Sequence, residues 1–213
     1  HSLSHTRIIK LSFFLNPLLY KPFYVERHRL LNLVKLDLID RKINARTMQT
    51  FSAAIAVGAL PQCAHLSLSR NEIGDAGTAA LADACDKGGL AQCQVLYLLD
   101  NEIGDIGLTA LASACAKGAL ACCNKLNLAF NQIGDTGLAS LANACDRRAL
   151  ARCTHLFLHG NWWIGESGSA CFADMCARGG LSNLKELVMD DGESGVDHPK
   201  LKSACKKRYI HLR

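Results

Sequence analysis

Aromatic residues make up only 6% of the 213 positions, and the chain has four prolines. A core of this composition has to be filled by leucine, alanine and cysteine, so an aromatic that faces solvent carries more information than usual. Long apolar runs are missing as well: none reaches the about eighteen residues that a membrane-crossing helix needs. The most apolar stretch, residues 8–20, is interrupted by Lys10, Asn16 and Pro17 and has no small-residue cleavage site after it, so it reads neither as an anchor nor as a secretory leader. A continuous basic strip is also lacking. The net charge of +5 comes from the ends: residues 1–30 hold five Lys/Arg against Glu26, residues 198–213 hold six with no acid, and the middle carries −5. That distribution argues against a nucleic-acid partner, and Lys206, Lys207 and Arg208 read as a solvated end. The Ile-Gly-Asp-x-Gly segments lack the Gly-Lys-Ser/Thr ending of a phosphate loop. Gly165-Glu166-Ser167-Gly168 aligns with one of them, which excludes a nucleophile elbow. Asp190-Asp191-Gly192-Glu193 is too short for a calcium loop.

What the chain does have is repetition. Leu66, Leu96, Leu126 and Leu156 stand thirty residues apart, as do Asn71, Asn101, Asn131 and Asn161, and Cys63, Cys93, Cys123 and Cys153. Such a period means a solenoid, in which each coil buries its apolar face only by stacking on the next. Within a coil, Leu-x-Leu predicts a short strand with both leucines inward. The asparagines are expected to bond the turn backbone in a ladder that only stacked copies complete. Asp75, Asp105 and Asp135 are expected to cap the helix that follows each of them, and Lys87, Lys117, Arg147 and Arg178 to sit at the negative helix end. Gly88-Gly89 and Gly118 close the helix. Residues 36–55 form a degenerate first coil in the same register, with Arg41 in place of asparagine and Asn44 in place of glycine.

The order Cys-x-x-Leu-x-Leu-x-x-Asn-x-Ile, read at Cys93, Leu96, Leu98, Asn101 and Ile103, fits the leucine-rich-repeat pattern with cysteine in its first leucine position. With a true helix on the return limb, the unit resembles the ribonuclease-inhibitor type of repeat, also used by NOD-like receptors and the activating protein for the small GTPase Ran. The resemblance covers about residues 30–205. It implies an α/β horseshoe with parallel strands on the concave face, α-helices on the convex face and about thirty residues per repeat. Upstream, Pro17, Pro22, Tyr24, Leu30, Leu33, Leu36 and Asp37 resemble the short cap found at the ends of some leucine-rich-repeat proteins. The expected division is therefore a degenerate short repeat and cap-like segment over 1–35, then the repeat array over 36–213 with a basic capping helix at Lys200–Tyr209. A cap followed by further repeats, and a first residue that is His1, suggest a piece of a longer parent chain.

Eight of the eleven cysteines occupy two fixed repeat positions, where the pattern wants a buried apolar residue. They are expected to be reduced, which points to a cytosolic or nuclear compartment, with the cytoplasm as the expected location. Cys63/His65 and Cys153/His155 lack a second ligand pair at finger spacing, so neither metal nor cofactor is predicted.

The fourth clean coil carries one extra residue at Asn161-Trp162-Trp163-Ile164, and one of the two tryptophans is expected to fill the space its bulge opens. Strand alternation places Tyr97, Leu99, Phe130, Phe157, His155, His159 and Trp162 on one concave surface of neighbouring coils. Aromatics where the fold does not demand them are what interface anchors look like. The predicted role is a non-catalytic module that binds a protein partner through Tyr97, Leu99, Phe130, Phe157, His159 and Trp162, as a monomer or as part of a longer chain. Two other readings stand beside it. Resemblance to the Ran activator implies GTPase activation through Arg70, which lies beside Asn71, although the acidic tail of that family is missing. A structural spacer in a larger receptor or scaffold would make the aromatics incidental.

Overall fold

The computed structural model describes residues 31–189 and 199–213; the short repeat, most of the cap-like segment and the acidic loop at 190–193 lie outside them. Seven strands alternate with six helices: β1 (Lys35–Asp37), α1 (Ala45–Ala56), β2 (His65–Ser67), α2 (Gly74–Asp86), β3 (Val95–Tyr97), α3 (Asp105–Ala116), β4 (Lys125–Asn127), α4 (Asp135–Asp146), β5 (His155–Phe157), α5 (Glu166–Ala177), β6 (Glu186–Val188), α6 (Pro199–Lys207) and β7 (His211–Leu212). The strands form one parallel sheet in sequence order. Its register joins repeat-equivalent residues, Leu66 with Leu96 and Leu96 with Leu126. Strands stack about 4.8 Å apart whereas packed helices need about 8–10 Å, so the sheet takes the inner curve and the helices the outer one. β7, which adds a strand beyond the expected capping helix, pairs with β6.

β3 to β6 each bury a central leucine and leave its flanking residues half-buried on the inner face, as in Val95-Leu96-Tyr97 and His155-Leu156-Phe157. The core runs unbroken along the array, and Leu66, Leu96, Leu126, Leu156 and Leu187 are all fully enclosed. The repeat-position cysteines belong to it. Cys63, Cys93, Cys123 and Cys153 each place Sγ within 3.3–3.4 Å of the strand carbonyl two residues on. Burial pushes the thiols of Cys85, Cys93, Cys115, Cys153 and Cys176 up to about 12. Lys87, Lys117, Arg147 and Arg178 stand at the C-terminal ends of α2 to α5, as expected.

The asparagine ladder forms. Asn131 Oδ1 accepts from the amides of Asn101 and Ile103 one coil back, both at 3.0 Å, while Nδ2 donates to the carbonyls of Leu98 and Leu128. Asn71 does the same for Arg41 and Ile43. The aspartates depart from expectation. Asp105 Oδ1 accepts from the amides of Gly134 and Gly137, at 2.7 and 2.8 Å, and Asp75 Oδ1 does so from Gly104 and Gly107. Each carboxylate thus caps the helix of the following coil rather than its own. The reason is position: Asp75, Asp105 and Asp135 lie within the first turn of their own helices rather than before it, where a capping side chain sits, whereas the next helix start stacks directly beside them.

One coil lacks this cap. The first coil has Ala45 where the others have aspartate, so Gly74 and Gly77 face no carboxylate. Here the turn changes shape: Ile73 becomes helical, Gly74 takes φ +58° and its amide donates to the Asn101 carbonyl. Gly104, Gly134 and Gly165 in capped coils are extended, at φ −100°, −116° and −99°. The distorted turn leaves Asn101 Oδ1 buried without a donor.

Near the last described strand, Arg208 ties its coil to the one before. Its guanidinium donates to the carbonyls of Cys176, Gly180 and Leu181. The basic cluster is therefore not wholly a solvated end: Arg208 turns inward, and Lys206 and Lys207 remain exposed.

Candidate functional site

The six residues singled out from the sequence fall into two groups. On the sheet floor, Tyr97 and Phe157 share a column but are separated by Asn127, with which each pairs in the strand register. Asn127 turns its side chain to the amide of Ala129. Tyr97 meets His65 edge-on, with ring centres 5.3 Å apart, and Phe157 stacks on His155 at 6.5 Å. His155 is held at both nitrogens, Nδ1 2.8 Å from the Thr154 hydroxyl and Nε2 3.7 Å from Glu186. The Glu186 carboxylate also faces Arg213. Burial, with a smaller contribution from Lys35, pulls the His65 pKa down, which favours the neutral ring against Tyr97. Leu99 lies half-buried two residues beyond the end of β3.

The second group forms the rim where the chain leaves the sheet for the helix. Phe130 is 47% exposed, and its ring meets His159 edge-on at 5.1 Å. It also lies over Gly160, where a Cβ would come within 2.6 Å of the Phe130 ring. The local backbone makes this placement costly. Asp40, Arg70, Asp100, Phe130 and Gly160 occupy one repeat position, and all have φ between +52° and +71°. Glycine and aspartate tolerate that region, whereas a phenylalanine there costs about 1 kcal/mol.

Both tryptophans of the inserted residue face outward, Trp162 at 52% and Trp163 at 73% exposed, so neither fills the bulge. The bulge is closed instead by Asn161, whose Oδ1 accepts from Ile133 and whose Nδ2 donates to Leu128 and Leu158. Trp163 pairs with Gly134 across the turn, and the insertion leaves its direction undetermined in the repeat pattern. Ile106, in the first turn of α3, is also exposed.

Arg70 is exposed on the same rim, two coils before Phe130. Its repeat neighbours are Asp40 and Asp100, which disfavour an incoming phosphate. Among the described residues, no group of three His, Cys, Asp or Glu is placed to hold a metal ion. A cavity of about 460 Å³ lies at the opposite end of the array, between Met189, Cys205, Ile210 and Leu212, and contains none of the candidate residues. No helix among the described residues is long and apolar enough to cross a membrane.

Residues 65–82, 94–112 and 124–142 match the family model of the Leucine Rich repeat. Together with the parallel sheet and its thirty-residue register, this makes the array a leucine-rich-repeat solenoid, a fold suited to protein–protein interaction. No curated protein matches the chain.

Proposed function

We propose that the chain is a non-catalytic recognition module that binds a protein partner through its inner face and rim, with Tyr97, Leu99, Phe130, Phe157, His159 and Trp162 as contacts. The observation that carries this is Phe130. Its backbone position favours glycine, asparagine or aspartate, its ring is nearly half exposed, and it is held by His159 and Gly160 beside two solvent-facing tryptophans. An exposed aromatic that is already ordered loses little entropy on binding, which is what an interface anchor requires.

Helices of twelve or thirteen residues on the return limb support the ribonuclease-inhibitor-like subtype. Eleven free cysteines, nine of them buried, support a reducing compartment such as the cytoplasm.

The test is affinity capture from a reducing extract with the native chain, a Phe130→Ser variant and a Tyr97→Asp/Phe157→Asp variant, each shown by circular dichroism to be folded. A protein held by the native chain and lost with either variant identifies the face and its ligand together. Equal capture by all three chains would move the function away from this face.

A further inference from the structure

We propose that the rim bearing Phe130, Trp162 and Trp163 takes a lysine- or arginine-bearing segment of its protein partner, an inference that rests on the recognition reading above and adds the partner's chemistry. The aromatic side is a set of exposed rings on two adjoining coils, and Trp162 and Trp163 are the only tryptophans in the chain. The charged side comes from the coil before. Asp100 occupies the repeat position of Phe130 and is joined to that coil by its amide bond to the Ala129 carbonyl, 3.0 Å. Glu102 stands thirty residues before Gln132 in the repeat register, and the bridges Gly104–Gln132 and Gly134–Trp163 put Gln132 and Trp163 in one column.

Both carboxylates are exposed, and neither takes part in an ion pair among the described residues. Fold maintenance does not account for them. Asp75 and Asp105 already cap the helices that start at this edge, and Asp100 and Glu102 touch no helix amide. Rim residues 99–106, 129–136 and 159–166 contain no lysine or arginine and hold Asp100, Glu102, Asp105, Asp135 and Glu166, whereas the equivalent residues of the first two coils, 39–46 and 69–76, carry Arg41, Lys42, Arg46 and Arg70 against Asp40, Glu72 and Asp75. The rim is therefore bipolar along the array. Its aromatic end is negative, and its other end holds the positive charge.

A basic side chain satisfies every element of this end. Its aliphatic stem covers the rings, its charged head is attracted to their faces, and the head is drawn to carboxylates that have no ion-pair partner among the described residues. An acidic segment would be repelled by Asp100 and Glu102, and an uncharged one would gain nothing from them.

The chain's own fluorescence makes this testable, because tryptophan emission comes only from the proposed site. Three short labelled peptides would be titrated against the full chain, with leucine alternating with lysine and arginine, with glutamate, or with serine. The expected result is a shift in tryptophan emission and about tenfold tighter binding of the basic peptide than of the serine peptide, weakened as salt rises to about 0.3 M. Asp100→Asn/Glu102→Gln should lower that affinity about three- to tenfold. Asp83→Asn/Asp174→Asn, an equal charge change on the helix face, should leave it unaltered. Equal loss in both variants, or equally tight binding of the acidic peptide, overturns the proposal. If the serine peptide binds as tightly as the basic one and Phe130→Ser abolishes that binding, the rim is a recognition site for apolar segments and only the basic-partner inference falls. If no peptide moves the emission, the rim fails as a recognition site and the inference falls with it.

Discussion

Asp105 of one coil and Gly137 of the next are a single structural unit: Oδ1 of the first accepts from the amide of the second at 2.8 Å, and a Cβ on Gly137 would approach that oxygen to 2.6 Å. The Ile-Gly-Asp-x-Gly segment therefore describes two halves of different joints. Its aspartate serves the coil after it, and its second glycine leaves room for the aspartate of the coil before.

Removing that carboxylate should cost about 1–2 kcal/mol, the usual range for a lost helix cap. Asp105→Ala should lower the urea midpoint of unfolding at unchanged slope. An unaltered midpoint would mean that water replaces the carboxylate at no cost.

The missing cap can be restored. Ala45→Asp should supply Gly74 and Gly77 with the acceptor the other coils have and stabilise the chain by about 0.5–1 kcal/mol. Gly74 should then leave the left-handed region and free the Asn71 amide for Asn101 Oδ1. Amide exchange at Asn71 and Gly74 would slow in the variant. Unchanged protection would show that the turn is set by something other than the first coil's alanine.

Arg208 and its neighbours should behave oppositely on truncation. Arg208→Ala strips three carbonyls of a charged donor and should destabilise by about 1.5–3 kcal/mol. Lys206→Ala/Lys207→Ala, on exposed positions, should stay within about 0.5 kcal/mol. Thermal unfolding of the two variants separates this contact between coils from mere net charge.

Buried thiols give the chain an alkaline limit. With folded values near 12 against a usual thiol value of 9.0, the thiols of Cys85, Cys93, Cys115, Cys153 and Cys176 favour the fold fully below about pH 9, and that contribution is lost as pH rises toward 12. Each costs about 1.4 kcal/mol per pH unit in that window. The urea midpoint should fall steeply between about pH 9 and 10. At neutral pH, a thiol reagent should modify only Cys122 and Cys171, the two half-buried cysteines, until urea is added.

Phe130 separates stability from binding. Phe130→Asn relieves the left-handed backbone and gives up one edge-on ring contact, two effects of similar size, so stability should change by less than about 1 kcal/mol. Partner capture should nonetheless be lost. A strong loss of stability would instead make Phe130 a structural residue.

The sequence carried the repeat, and with it most of the fold. Leu66, Asn71 and Cys63 recur at a fixed spacing, and a residue type that recurs with the coil must do the same job in each, so strand leucines, ladder asparagines and core cysteines were legible without coordinates. Features that occur once had no such redundancy. The spacing could not say whether Trp162 or Trp163 turns inward, and both face solvent because Asn161 closes the turn without them. It placed Tyr97, Phe157 and Phe130 on one surface but could not show that Asn127 divides the floor or that His159 and Gly160 seat the Phe130 ring on the rim.

A thirty-residue period therefore determined what each coil is made of, because burial and hydrogen bonding within a coil depend on local order along the chain. Only the tertiary structure decided which coil each side chain serves. Asp105 could have capped its own helix or the next, and the offset at which coils stack places the free amides of Gly134 and Gly137, rather than those of its own turn, within reach of its carboxylate.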